Sequence, residues 1–170
     1  QPGAAANTAA APAPINSVIL IEIDGQQVAG GSRNFNIKSA NSVVQGLSIY
    51  GFSSPNVDAL FGSIVVEADD VSVLGNYIGV RADGMTAGGG DNTRGVVCSG
   101  YAGMQVGGTA ASDRNIIFST SSTNLGGGIF SLCANVDIYG NYVGMAKDGA
   151  TDLSPEVADA NQLAAPFTIG

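Results

Sequence analysis

The chain has 170 residues, a formal net charge of −8 from six basic and fourteen acidic residues, and neither histidine nor tryptophan. The lack of histidine excludes a Ser-His-Asp or Cys-His nucleophile and an imidazole zinc site, and so few cations predict no nucleic-acid partner, because phosphate binding needs clustered Lys and Arg. No segment reaches the roughly 20 apolar residues that span a bilayer, so we expect no membrane insertion.

The first segment, residues 1–17, is rich in alanine and proline and cannot form a packed core by itself. We predict an extended arm, with two alternatives open: disorder, or an extended strand in a partner's groove. The apolar run that follows is a candidate for strand addition to a neighbouring copy. It consists of Val18, Ile19, Leu20 and Ile21.

A repeat occupies residues 18–153. The strings GNYIG (75–79) and GNYVG (140–144) lie 65 residues apart, and apolar residues alternate between them with the period of a strand that has one buried face. Three apolar columns recur four times: Phe35, Ile64, Val96 and Ile129; Val44, Val73, Val106 and Ile138; Ile49, Ile78, Ile117 and Val143. Three short strands per repeat predict an all-β solenoid of four to five coils, each stacked on the next.

A polar column lies just before the third apolar column and consists of Asn76, Asn115 and Asn141. Stacked asparagines can bond to one another and to the neighbouring turn, as in other stacked β structures. We therefore interpret this column as a structural ladder rather than a ligand site.

The two cysteines lie in neighbouring repeats. Cys98 falls in the column of Ser131, so Cys133 is offset by two residues along the next strand. In ideal strands that offset is too long for a disulfide, and a bond requires a bulge, which the corner Leu132–Ala134 could supply. Both outcomes stay open here: a disulfide, which would indicate an oxidising, extracellular setting, or two buried free thiols.

The ordered motifs carry a resemblance to a known family. GNYIG followed by Asp83-Gly84, then Gly95-Val96-Val97, Arg114-Asn115-Ile116-Ile117 and the second GNYVG resemble the right-handed parallel β-helix repeats of secreted bacterial surface proteins. The resemblance covers about residues 18–153 and implies a secreted or cell-surface protein with that fold. The same scaffold serves lyases, adhesins and purely structural segments, so the fold does not select a function. Arg81 departs from the family's usual residue, and an N-terminal capping helix is not recognisable.

Candidate catalytic and metal sites are weak. The best carboxylate pair, Glu67 with Asp69 or Asp70, has uncharged neighbours in the adjacent repeats, which indicates a solvated turn and no catalytic residues. Oxygen-rich loops could hold Ca²⁺, but their spacing matches no known calcium motif, so we predict no cofactor. The candidate ligands are Asp83, Asp91, Asp148 and Asp152.

The ends of such a solenoid expose strand edges. For residues 154–170 we predict a short helix from Ser154 and then an extended tail, in which Phe167 and Ile169 are candidates for self-association. Either the chain is a segment of a longer β-helix, or its ends pair with copies of itself.

We favour an extracellular, non-enzymatic structural protein that associates end to end. The alternative is a carbohydrate-binding or carbohydrate-cleaving β-helix with stacking platforms among Tyr50, Tyr77, Tyr101, Tyr139 and Tyr142.

Overall fold

The computed structural model describes residues 2–28, 34–52, 60–89, 94–119 and 127–153. These residues are all-β apart from two single-turn 3-10 helices, Gly25–Gln27 and Ala111–Asp113. Thirteen strands follow along the described chain: β1 (Glu22–Asp24), β2 (Phe35–Ile37), β3 (Val43–Gln45), β4 (Ser48–Tyr50), β5 (Ile64–Val66), β6 (Ser72–Leu74), β7 (Tyr77–Ile78), β8 (Arg94–Ala102), β9 (Gln105–Gly107), β10 (Ile116–Ile117), β11 (Gly127–Ala134), β12 (Asp137–Tyr139) and β13 (Tyr142–Val143).

The strands form three parallel sheets, and consecutive strands from β2 onward move from one sheet to the next. Sheet 1 contains β2, β5, β8 and β11, sheet 2 contains β3, β6, β9 and β12, and sheet 3 contains β1, β4, β7, β10 and β13. Each set of three strands, from β2–β4 to β11–β13, thus adds one strand to every sheet, and we call these sets repeats 1 to 4. The all-β class and the parallel repeats are confirmed, and the arrangement is consistent with a β-solenoid.

The strand register confirms the three apolar columns. In sheet 2, for example, Val44 pairs with Val73, Val73 with Val106, and Val106 with Ile138. The side chains of these columns meet in one main core shared by all three sheets. Each fully buried Val or Ile contributes about 1.5–3 kcal/mol relative to leaving it exposed, so the stacked columns are the principal source of stability.

The corner between sheet 1 and sheet 2 explains part of the small-residue content. One position of each repeat adopts a left-handed backbone there, with φ of 58° at Asn41, 54° at Asp70, 75° at Gly103 and 53° at Asn135. Glycine, asparagine and aspartate are the residues that tolerate this conformation. The backbone conformation of this turn therefore explains why these four positions carry glycine, asparagine or aspartate, and no ligand is needed to explain their polar side chains.

Sheet 1 departs from the prediction in two ways. Strands β8 and β11 have nine and eight residues, whereas the sequence predicted short strands throughout. Val65 and Val97, which alternate with core residues, are also buried, at 5% and 0% exposure. The single-buried-face interpretation was wrong for β5 and for the first half of β8, whereas in β2 Asn36, between Phe35 and Ile37, is exposed as the alternation predicts. Continuous apolar runs, rather than alternation, are typical of parallel strands covered on both faces.

Candidate functional site

The asparagine column connects three repeats by hydrogen bonds. Asn76 and Asn115 are fully buried. The Oδ1 atom of Asn115 accepts from the backbone N–H of Asn76 at 2.8 Å, and Oδ1 of Asn141 accepts from the backbone N–H and Nδ2 of Asn115 at 3.2 and 2.8 Å. Each Nδ2 also donates to a carbonyl of the preceding repeat; the acceptors of Asn76, Asn115 and Asn141 are Val44, Val73 and Val106, at 2.8 to 2.9 Å. We call this array the asparagine ladder.

The ladder has two different ends. In repeat 1 its position is taken by Leu47, whose backbone N–H donates to Oδ1 of Asn76 at 3.1 Å. Strand β1 precedes repeat 1 in sheet 3 and pairs with β4, so that Ile21 lies beside Leu47. The ladder therefore terminates in apolar side chains toward β1 and in Asn141 at the opposite end.

The two cysteines form a disulfide that joins repeat 3 to repeat 4, with a Cα–Cα distance of 5.7 Å. Cys98 pairs with Ser131 as the columns predicted. The register then shifts, because Leu132 pairs with Ser99 whereas Ala134 pairs with Ala102. The extra residue lies in β8 near Gly100, which has a φ of 81°, and not in the Leu132–Ala134 corner.

Two equivalent loops, residues 80–87 and 145–152, follow the two GNY motifs, and we call them the Asp-Gly loops. In the first, Asp83 accepts hydrogen bonds from the N–H groups of Met85 and Thr86 at 2.8 and 2.9 Å and from the Thr86 hydroxyl at 2.6 Å. Asp148 makes the same three contacts within the second loop. The loops contact each other, because the N–H of Lys147 donates to the Gly84 carbonyl at 2.9 Å.

The prediction of no cofactor stays a prediction, and so does calcium as its alternative. The carboxylates of Asp83 and Asp148 accept donors of their own loops, and Asp91 lies outside the described residues. Asp152 pairs with Met145 in an isolated antiparallel bridge. Within the described part of the chain, no three His, Cys, Asp or Glu residues are grouped so that they could hold a metal ion.

The Asp-Gly loops predict a pH dependence of stability. Burial opposes ionisation of Asp83, but the Thr86 hydroxyl, the N–H groups of Met85 and Thr86 and the charge of Lys147 hold its pKa below the ordinary value. The Thr151 hydroxyl, followed by backbone N–H groups, lowers the pKa of Asp148. A carboxyl whose pKa is lowered by folding stabilises the protein above its unfolded pKa of about 3.9, and this contribution is lost as pH falls through the folded pKa.

We therefore expect the double variant Asp83→Asn, Asp148→Asn to be less stable than the wild type near neutral pH and to approach it in acid. Urea unfolding of both proteins between about pH 2 and pH 6 measures the difference. Because both carboxylates are exposed, we expect the effect to be small. If the difference in the free energy of unfolding between the two proteins were the same at every pH, the two carboxylates would not contribute to the pH dependence of stability.

The N-terminal segment packs on its own chain. Ala5 and Val18 form an antiparallel bridge, and Asn7 and Asn16 join the two arms through a bond from the Asn16 N–H to Asn7 Oδ1 at 3.0 Å. We call residues 5–18 the N-terminal hairpin. It lies along the outer face of sheet 3, where Ile15 donates its N–H to the Lys147 carbonyl at 2.7 Å.

The hairpin covers a second apolar cluster. Ile15 and Ile19 pack there against Tyr77, Ile116 and other outer residues of sheet 3. Both predicted alternatives for residues 1–17, disorder or a partner's groove, differ from this structure. This packing could not be predicted from the sequence, because the outer face of sheet 3 becomes apolar only when Tyr77, Ile116 and Tyr142 are brought into register.

The predicted self-association residues are split by this packing. Ile19 is 6% exposed and belongs to the second cluster, so it is not available to a neighbouring copy. Val18, Leu20 and Ile21 remain 45%, 52% and 38% exposed. Phe167 and Ile169 lie outside the described residues, as does the whole predicted helix and tail of residues 154–170.

The five tyrosines divide into buried, partly buried and exposed side chains, and Tyr142 is the partly buried one. Tyr50 and Tyr77 are buried, and burial is the main cause that raises the pKa of each phenol. Tyr50 donates to Glu22 at 2.9 Å and lies under the Arg81 guanidinium. This contact gives Arg81 a packing role at the position where the sequence departs from the family pattern. Neither buried tyrosine can be a sugar platform, whereas Tyr101 and Tyr139 are exposed.

The end formed by β11–β13 leaves the columns partly uncovered. Ile129 and Ile138 are only partly buried although they pack on the main core, and Val143, the last member of the third column, is 38% exposed. Within the described residues, no strand pairs with the outer edge of β11, β12 or β13. This end therefore presents both apolar side chains and backbone groups to a further layer.

Searches against protein families, curated protein sequences and solved structures find no match to this chain. In the described residues there is no helix of sufficient length and apolar character to cross a membrane.

Proposed function

We propose that this chain is a non-catalytic structural protein of the cell exterior that associates end to end with copies of itself through the edges of its three sheets. The observation that carries the proposal is the end formed by β11–β13, the last strands of the three sheets among the described residues, where the core columns are partly uncovered. Heterologous contacts between unlike ends propagate into filaments when the rotation does not close. The product would be a filament or a surface layer.

The finer description of the fold belongs to the same proposal. We infer that the three sheets close into a right-handed parallel β-helix, because crossovers between parallel strands are right-handed in about 98% of cases. This is the fold of the secreted surface proteins that the motifs resemble. The disulfide between Cys98 and Cys133 supports an extracellular location, since such bonds persist in oxidising compartments.

A charge at the exposed end of the third column tests this function. We expect Val143→Arg to abolish filaments seen by negative-stain electron microscopy at micromolar protein, because the guanidinium would be buried without a partner in the contact. Met85→Arg is the matched control: Met85 is also 38% exposed, but it lies on an Asp-Gly loop at the side of the stack. Equal filament formation by both variants would contradict the proposed contact.

A second candidate function is carbohydrate binding. It is favoured by Tyr139, which is 52% exposed and borders a cleft of about 370 Å³ together with Thr109 and Arg114. An exposed aromatic ring beside polar groups is a suitable platform for a sugar ring. A wild-type protein that stays monomeric but binds a glycan array, with loss of binding in Tyr139→Ala, would favour this function over the first.

A further inference from the structure

The asparagine ladder follows one rule between repeats 2, 3 and 4. Each asparagine turns Oδ1 toward the preceding repeat, where it accepts the backbone N–H of the residue at the ladder position. It turns Nδ2 toward the carbonyl of the residue that the preceding repeat contributes to the second apolar column, which is Val44, Val73 or Val106. Every added repeat thus satisfies groups that the previous repeat leaves open. The ladder is therefore directional.

At the far end this rule leaves a donor without an acceptor. Among the described residues, none accepts a hydrogen bond from the backbone N–H of Asn141. The next carbonyl in the series Val44, Val73, Val106 belongs to Ile138, three residues before Asn141. A strand that docks here would meet a backbone N–H and a carbonyl in the same arrangement that repeat 3 presents to the side chain of Asn141.

The opposite end of the chain does not supply the matching group. If β13 of one copy continued onto β1 of the next in the register of sheet 3, Asn141 would face Ile21. An isoleucine side chain has no acceptor, so the Asn141 N–H would lose water without gaining a partner. In sheet 3 the two ends are therefore complementary in the apolar column, where Val143 would face Ile23, but not in hydrogen bonding.

We propose that the end of the ladder at Asn141 is a docking surface for one more parallel β-coil, and that this coil carries an asparagine at the ladder position. The proposal rests on the proposed function in that the end of the stack binds β-strands; it goes further by naming the chemistry of the strand. A second copy, which offers Ile21, is a weaker partner for this surface than such a coil.

The substitution Ile21→Asn tests the proposal because it gives a second copy the missing side chain. We expect the protein concentration at which filaments appear, measured by sedimentation, to fall about three- to tenfold, as one or two added hydrogen bonds would produce. Leu20→Asn is the matched control, since Leu20 is also exposed, at 52% against 38% for Ile21, but is not on the ladder. Ile21→Thr, compared with Ile21→Val, repeats the test with a hydroxyl acceptor and a better preserved shape.

The outcomes separate the two proposals. If the wild type assembles and Ile21→Asn assembles at a lower concentration, both hold. If only Ile21→Asn or Ile21→Thr assembles, self-association of the wild type is refuted and the ladder proposal stands. If both acceptor variants behave like their controls, the ladder proposal is overturned, whatever the wild type does.

Discussion

Replacing Asn115 by alanine is expected to destabilise the protein by about 3–5 kcal/mol. Asn115 is fully buried. Its side chain accepts from the N–H of Asn76 at 2.8 Å and donates to the Val73 carbonyl at 2.9 Å and to Asn141 at 2.8 Å. Alanine would leave these buried groups unpaired, and each buried unsatisfied group costs about 1–3 kcal/mol. The free energy of unfolding in urea measures the change.

Asn141→Ala is the control for this prediction. Asn141 is at the partly exposed end of the ladder, where water can replace part of what its side chain provides, so we expect about 1–2 kcal/mol. We expect Asn115→Ala to lose clearly more unfolding free energy than Asn141→Ala. Equal losses at both positions would mean that the ladder does not act through buried backbone groups.

Removal of the disulfide by Cys98→Ser and Cys133→Ser is expected to cost about 3–4 kcal/mol. The bond closes a loop with a sequence separation of 35 residues, and the loss of chain entropy in the unfolded state for such a loop is on the order of 3–4 kcal/mol. It also joins repeat 4, the least covered repeat, to repeat 3. Urea unfolding of the oxidised wild type and of the double variant measures the difference.

The wild type in a dithiol reductant is the control for the serine variant. Reduction and substitution should give unfolding midpoints close to each other, and well below the midpoint of the oxidised protein. A midpoint of the wild type that does not move on reduction would show that the bond contributes nothing to the stability of the stack.

The repeats could be predicted because their signals are local and repeated. Val44, Val73 and Val106 recur at nearly constant spacing with alternating neighbours, and the register places them in one column. The asparagine ladder could be found in the same way. In a stacked structure each repeat meets only its neighbours, so sequence periodicity translates directly into contacts.

The remaining features depend on contacts between distant segments. The docking of Ile15 on sheet 3 requires the outer face of that sheet to be assembled first. The burial of Tyr50 and Tyr77 follows from contacts with Glu22, Arg81 and Ser17, which lie many residues away. The periodicity of apolar residues in the sequence does not indicate such contacts. The disulfide was left open for a related reason: the shift that allows it lies in β8, where Gly100 breaks the pattern locally.

The ends of the stack connect the fold to the proposed function. One end closes its ladder with Ile21 and Leu47, and the other presents Asn141 together with Val143. Because the ends are unlike, association through them is head to tail, and the strength of the contact is set by how well the columns and the ladder match. If the proposed function holds, we expect the assembly to be directional and its affinity to rise with a single substitution at Ile21.

End-to-end association of the oxidised wild-type protein is best measured by sedimentation velocity over a range of concentrations. We expect a concentration-dependent series of species built from the 16.9 kDa chain, extending to large polymers at the highest concentrations. A single species of the monomer's mass at every concentration would contradict it.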